Sequence, residues 1–234
     1  MPRVTKEQDY FERRNEILDA AQRLIYSKGF ESMTIQDILD DLKISKGAFY
    51  HYFRSKHALL EGLTDRSIQN ALVLVKPILE DPNLSSLQKL ARYFDTVASW
   101  KLAQKDYMLQ LLRVWFKDEN SLLRQKMTSA GYQFLSPHLS KLIEQGKREG
   151  SMKVNDPEIS AKVVYSLMLS LGDELGRTIL DADNSRPDKK REQYAQSMIA
   201  TARAFTNAIE RILGVPNGSI ILIQEPMLKQ WILP

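Results

Sequence analysis

Between residues 10 and 213 the apolar side chains recur at every third or fourth position, and almost no stretch alternates with a period of two. That spacing lines one face of an α-helix and leaves the other face to charge, which confines the chain to packing helix on helix. Ile17, Ala21, Leu24, Ile25 and Lys28 fall at i, i+4, i+7, i+8 and i+11 of a helix over about 10–28. Gly29 ends it, as a residue that takes a left-handed conformation at little cost does. Ser32 and Thr34 offer caps for a short second helix in which Ile35, Ile38 and Leu39 share a face. The tight link Leu42-Lys43-Ile44 leads to a third helix, capped by Ser45 and running to about Phe53. Ser55 caps a fourth, which runs toward Pro77.

The pattern stays helical beyond this point. Helices are expected over 84–103, 106–117 and 121–146, with Pro137 placed to kink or break the last of these. Asp156-Pro157 has the cap-then-proline order of a new helix start, and that helix should reach about Leu180. A polar loop over 183–190 precedes a final amphipathic helix over 191–213. Only residues 219–223 carry a strand pattern. The fold class read from this succession is all-α.

Composition removes several kinds of function. There is no cysteine, so disulfides and thiolate chemistry are excluded and a reducing cytosol is the natural compartment. His51, His57 and His138 do not fall at metal-ligand spacing, and no Gly-rich phosphate loop or GxSxG elbow is present. The expectation is therefore no enzymatic activity, no cofactor and no metal. The N-terminus is polar, and no apolar run approaches the roughly 20 residues of a membrane span, which points to a cytoplasmic chain without a membrane partner.

The positive charge is local. Lys43, Lys46, Arg54 and Lys56 stand together with no acidic residue between Asp41 and Glu61, although the first 65 residues are nearly neutral as a whole. Within that patch runs SKGAFYHYFRSK. As a helix it stacks Phe49 and Phe53 on one side and sets Lys46, Gly47, Tyr50 and His51 on the other. One side can anchor to the preceding helices. The other offers a cation, a backbone without a side chain and two rings with polar tips, which suits phosphates and base edges in a DNA major groove. With the short helix and link before it, the segment reads as a helix-turn-helix whose second helix enters the groove.

These residues carry a resemblance. The run ILDAAQRLIYSKGFESMTIQDILDDLKISKGAFYHYFRSKHALL resembles the N-terminal domain of the TetR family of bacterial transcriptional regulators. The resemblance implies a DNA-binding domain over 1–60, with the helix-turn-helix at about 33–53, and a larger effector-binding and dimerisation domain over 61–234. It implies that Thr34 caps the second helix at a phosphate and that Ser45, Lys46, Gly47 and Ala48 meet bases and backbone. Tyr50, His51 and Tyr52 would reach DNA, and Lys56 would bind a phosphate. The implied partners are double-stranded DNA, a second copy of the chain and a small-molecule effector.

For the C-terminal half, the resemblance implies that the last two long helices pair with those of a second copy. Ala161, Tyr165, Met168 and Leu171 on one, with Met198, Thr201, Ala202, Phe205 and Ile209 on the other, are the expected contacts. Trp100, Tyr107, Met108, Trp115, Phe116 and Phe134 are the candidates for lining an effector pocket, since rings and methionine suit hydrophobic ligands. The apolar tail over 219–234 is too hydrophobic for solvated disorder and is expected to pack against the dimer. The function read from all this is a ligand-responsive dimeric repressor, released from a pseudo-palindromic operator by a small molecule. The alternative is a small-molecule-binding or enzymatic helical protein with a vestigial DNA-binding element.

Overall fold

The computed structural model describes residues 2–117, 121–184 and 188–233, which form ten α-helices and, among the described residues, no strand. In order they are α1 (Pro2–Ser32), α2 (Ile35–Leu42), α3 (Lys46–Tyr52), α4 (Lys56–Glu80) and α5 (Ser86–Ala103). Then come α6 (Lys105–Trp115), α7 (Ser121–Glu149), α8 (Pro157–Asp183), α9 (Asp188–Leu213) and α10 (Glu225–Ile232).

The chain divides into two compact units, Met1–Asn70 with Asp106–Lys117, and Ala71–Lys105 with Asp118–Pro234. The boundary expected after residue 60 lies inside α4, a continuous helix, and the units part ten residues later. The segment 106–117, expected with the C-terminal half, belongs to the first unit.

In the first unit, Ile17, Leu18, Ala21 and Ile25 of α1 are fully buried, as their spacing requires, with Ile38, Phe49, Leu59 and Leu63. Gly29, at φ 81° and ψ 156°, breaks the helical path of α1 where the glycine was expected to end it. Arg66 of α4 ties back to α1 through the Asp19 carboxylate at 2.6 Å and the Gln22 amide oxygen at 2.8 Å.

In the second unit α8 packs between α7 and α9, and α5 packs on α7. Ser85 caps α5 reciprocally with Gln88, and the Asp156 carboxylate accepts from the Ile159 N–H at 3.0 Å at the start of α8. Pro137 does not end α7, which runs on to Glu149 and stops at Gly150, φ 73°.

The tail differs from expectation. Residues 219–223 are not a strand, and an unanticipated helix, α10, lies on α9, α5 and α8 of its own unit rather than being left for a partner. Ile220 and Leu222 are 3% exposed while Ile221 is 49% exposed, an alternation that produced the strand pattern without any strand to pair with. The Ile220 N–H donates instead to the buried carboxylate of Glu210, 2.9 Å from Oε1. Leu228 and Ile232 bury the inner face of α10, and Arg203 pairs with Glu225 at its start.

Candidate nucleic-acid interface

α2 begins in a capping box. The Thr34 hydroxyl accepts from the Asp37 N–H at 3.1 Å, and the Asp37 carboxylate accepts from the Thr34 N–H at 2.6 Å. Lys28 adds an ion pair at 2.7 Å. The Lys28 ammonium foremost, with the Thr34 donors, holds the Asp37 carboxyl down at about 2. Thr34 is exposed, but its hydroxyl is already engaged within the cap.

α2 closes on Lys43, the one non-glycine residue with positive φ among those described (φ 52°, ψ 44°). Its N–H and that of Ile44 both return to the Leu39 carbonyl. This left-handed cap ends α2, and it leaves the Lys43 side chain exposed.

Ser45 then caps α3, its hydroxyl accepting from the Ala48 N–H at 3.2 Å. Phe49 is fully buried and Phe53 is 2% exposed, with ring centroids 6.1 Å apart. Burying two phenylalanine side chains contributes on the order of 2–3 kcal/mol each, so this side of α3 fixes its placement. Gly62 of α4 makes room for it, because a Cβ there would lie 2.8 Å from the Phe53 ring. The Arg14 guanidinium covers the same ring at 5.1 Å.

The opposite side of α3 is open. Ser45, Lys46, Gly47, Tyr50 and His51 are exposed, and Ala48 is half-buried. Lys46 Nζ stands 6.0 Å from the Tyr50 ring centre, one helical turn along. Gly47 is informative because of what it does not meet: the nearest atom to a Cβ placed there is Ser45 Oγ, at 3.9 Å. Glycine inside a helix costs roughly 0.8–1 kcal/mol relative to alanine, and nothing within the chain requires that cost here.

Tyr52 is half-buried and leans on a residue not anticipated from the sequence. Tyr10 of α1 packs on Tyr52 at 4.8 Å between ring centres and edge-on to His51 at 5.7 Å. The signal was available, since Tyr10 heads the first apolar stripe, but helical spacing alone does not say which later ring it would meet. Lys56 is also partly committed within the unit: its ammonium sits 4.4 Å from the Phe30 ring centre, and burial pushes its pKa down.

The second unit holds a small, partly open cavity. Leu72 and Leu79 of α4 and Leu90, Tyr93 and Phe94 of α5 form part of its wall. Leu135, His138, Leu139 and Leu142 of α7 and Tyr165 and Met168 of α8 complete it. None of the six residues expected to line a pocket lines this cavity. Tyr107, Met108, Trp115 and Phe116 belong to the first unit, Trp100 is half-buried elsewhere on α5, and Phe134 is 48% exposed. The i, i+3, i+4, i+7 stripe Leu135, His138, Leu139, Leu142 was the available clue.

Of the expected self-association contacts, Ala161, Tyr165, Leu171, Met198, Ala202 and Ile209 are each 5% exposed or less within the single chain. Met168, Thr201 and Phe205 are half-buried. The surfaces of α8 and α9 that remain accessible carry Ile159 and Val163, and Ser197, Ala200 and Ala204.

Residues 17–63 match the model of the bacterial regulatory proteins of the tetR family. The chain is 34% identical over 119 residues to the uncharacterized HTH-type transcriptional regulator YerO of Bacillus subtilis, a match spanning 49% of this chain and 40% of YerO. It is 25% identical over 160 residues to the HTH-type transcriptional repressor NemR of Escherichia coli K12, covering 67% of this chain and 80% of NemR. Among solved structures, Salmonella enterica GusR superposes with a TM-score of 0.57 at 18% identity, over 87% of this chain and 96% of that one. That likeness is one of fold. Among the described residues, no helix is long and apolar enough to cross a membrane.

Proposed function

Since the chain belongs to the TetR family of bacterial regulatory proteins, whose N-terminal domain its residues 17–63 carry, we propose that it is a transcriptional repressor that binds DNA as a dimer and lets go when a small molecule fills the cavity. The observation that carries this reading is the outward side of α3. A cation, two ring tips and a glycine with empty space above it stand together on a helix fixed from behind by Phe49 and Phe53. A glycine with no internal reason to be there is explained by a partner whose backbone comes close.

Lys46 and Lys43 would meet phosphates, which position the helix, while Tyr50 and His51 reach base edges, which specify the sequence. Tyr10 props His51 and Tyr52 from behind. Thr34 and Lys56 carry less of the binding, because the hydroxyl of one serves its cap and the ammonium of the other covers Phe30.

Two copies joined through the accessible faces of α8 and α9 would present two such helices about one DNA turn, roughly 34 Å, apart. An effector acts by favouring the arrangement in which that spacing is lost, and it does so only to the extent that it binds that arrangement better. NemR, a relative named as a repressor, lends the direction of the output.

Selection of binding sites from a random duplex library by the purified protein tests the reading. A two-fold symmetric site in the enriched pool is the expected result. No enrichment at low salt would overturn it.

A further inference from the structure

The cavity of the second unit has a definite chemical character. Its lining contains no Asp, Glu, Lys or Arg, and its surface is almost wholly carbon. Leucines supply most of the wall, and Tyr165 turns its hydroxyl away from it. Tyr165 is 5% exposed, and its hydroxyl is tucked against Gly131 of α7: a Cβ at that position would lie 1.9 Å from the oxygen. A glycine inside a helix is unfavourable, and this one opens the niche that the hydroxyl fills. Tyr165 therefore shows the cavity its ring. Tyr132 meets that ring edge-on, 4.8 Å between centres, and shares its own hydroxyl hydrogen bond with Ser166. Burial pushes the Tyr165 phenol up to about 12 and raises Tyr93 as well, so both stay uncharged across the working pH range. His138 stands exposed at the rim, with its Nδ1 hydrogen-bonded to the Phe134 carbonyl at 2.8 Å.

From this wall we infer that the cavity takes an uncharged, hydrocarbon-like molecule, aromatic or alkyl, and turns away organic cations and anions of the same size. An ion entering would give up its water with no opposite charge and few polar atoms to replace it. A hydroxyl on the ligand gains little, because the wall is almost wholly carbon. The soft thioether of Met168 and the rings of Tyr93, Phe94 and Tyr165 suit a flat apolar body. The inference rests on the reading of the chain as a ligand-released regulator, and it assigns the ligand class to that regulator's cavity.

A matched series tests it: naphthalene, 2-naphthol, 2-naphthoate and 2-naphthylmethylammonium, titrated into the full chain by calorimetry at neutral pH. Naphthalene and naphthol should bind within a few-fold of each other and at least tenfold more tightly than either ion. Met168→Glu should reverse the order, with the ammonium probe becoming the preferred one. Leu135→Trp, which fills the space without adding charge, should weaken all four probes and serves if the glutamate variant does not fold. Ions binding as well as the neutral probes would overturn the inference, as would binding of none of the four. The DNA-binding reading is judged separately on the unliganded protein by duplex selection. Probes that bind without releasing DNA would sink the regulatory role of the cavity while leaving its ligand class standing.

Discussion

Gly47 and Gly131 both place the residue least suited to a helix interior, proline aside, inside a helix, one in each unit, and for opposite reasons. At Gly131 the missing side chain is replaced from within, by the hydroxyl of Tyr165. At Gly47 nothing replaces it. Gly131 belongs to a packed wall that shapes a cavity, and Gly47 to an open surface of its helix. The same contrast holds for the rings around them. Tyr165 is buried and turns its polar tip away from the cavity, while Tyr50 is 40% exposed and carries its tip outward beside Lys46. An unexplained glycine becomes informative only when its surroundings are known.

The largest effect should come from the side of α3 that faces inward. Phe49→Ala should destabilise the first unit by about 3–5 kcal/mol, the cost of emptying a full aromatic site, read as a lowered urea midpoint. A loss under 1 kcal/mol would mean that the ring does not anchor the helix. Next is Gly131→Ala, which forces the Tyr165 hydroxyl from its niche. Overpacking of this kind costs about 1–3 kcal/mol, so thermal unfolding should come several degrees earlier. An unchanged melting curve would show that the niche is not tight.

A smaller change is expected on the outward side. Lys46→Ala should leave folding intact and flatten the plot of log affinity for DNA against log salt by about 1.8, roughly 0.9 for each protomer of the dimer. An unchanged slope would remove Lys46 from the phosphates. The smallest effect concerns Asp37. Its carboxyl is held at about 2 in the folded chain, below its ordinary value near 3.9. The stability it contributes is therefore present above about pH 4 and lost as the pH falls toward 2. The difference in unfolding midpoint between wild type and Asp37→Asn should shrink over that range. A constant difference would mean that the Lys28 pair and the cap do not depend on the charge.

The helices of the first unit could be read from the sequence because each is punctuated locally. Gly29, the Thr34 and Ser45 caps and the short Leu42-Lys43-Ile44 link act within a few residues, so neighbours alone reveal them. The split of α3 into Phe49 and Phe53 on one side and Lys46, Gly47 and Tyr50 on the other also followed from helical spacing. Tyr10 did not, because its partners lie some forty residues on, and only packing brings them together.

The second unit was less legible because long amphipathic helices show which residues turn inward but not what they turn toward. Tyr165 and Met168, expected to meet a second copy, line a cavity within the single chain. Tyr107, expected to line an effector pocket, is buried in the other unit. The tail misled for a related reason. Its alternation of Ile220, Ile221 and Leu222 is that of a strand, but the backbone found a side-chain acceptor, Glu210, where a strand would need a neighbouring strand.

The account turns on the empty space above Gly47, and Gly47→Leu tests it most directly, with stability and DNA affinity measured on the same preparation. Leucine favours the helix, and beyond the adjoining residues and the backbone of its own helix only Ser45 Oγ comes within 4 Å of its Cβ. Stability should hold or rise by up to ~1 kcal/mol, while affinity for the selected duplex falls at least tenfold. Unchanged affinity would mean that no partner approaches this face of α3 closely, and the reading of the first unit as the part that enters DNA would be wrong.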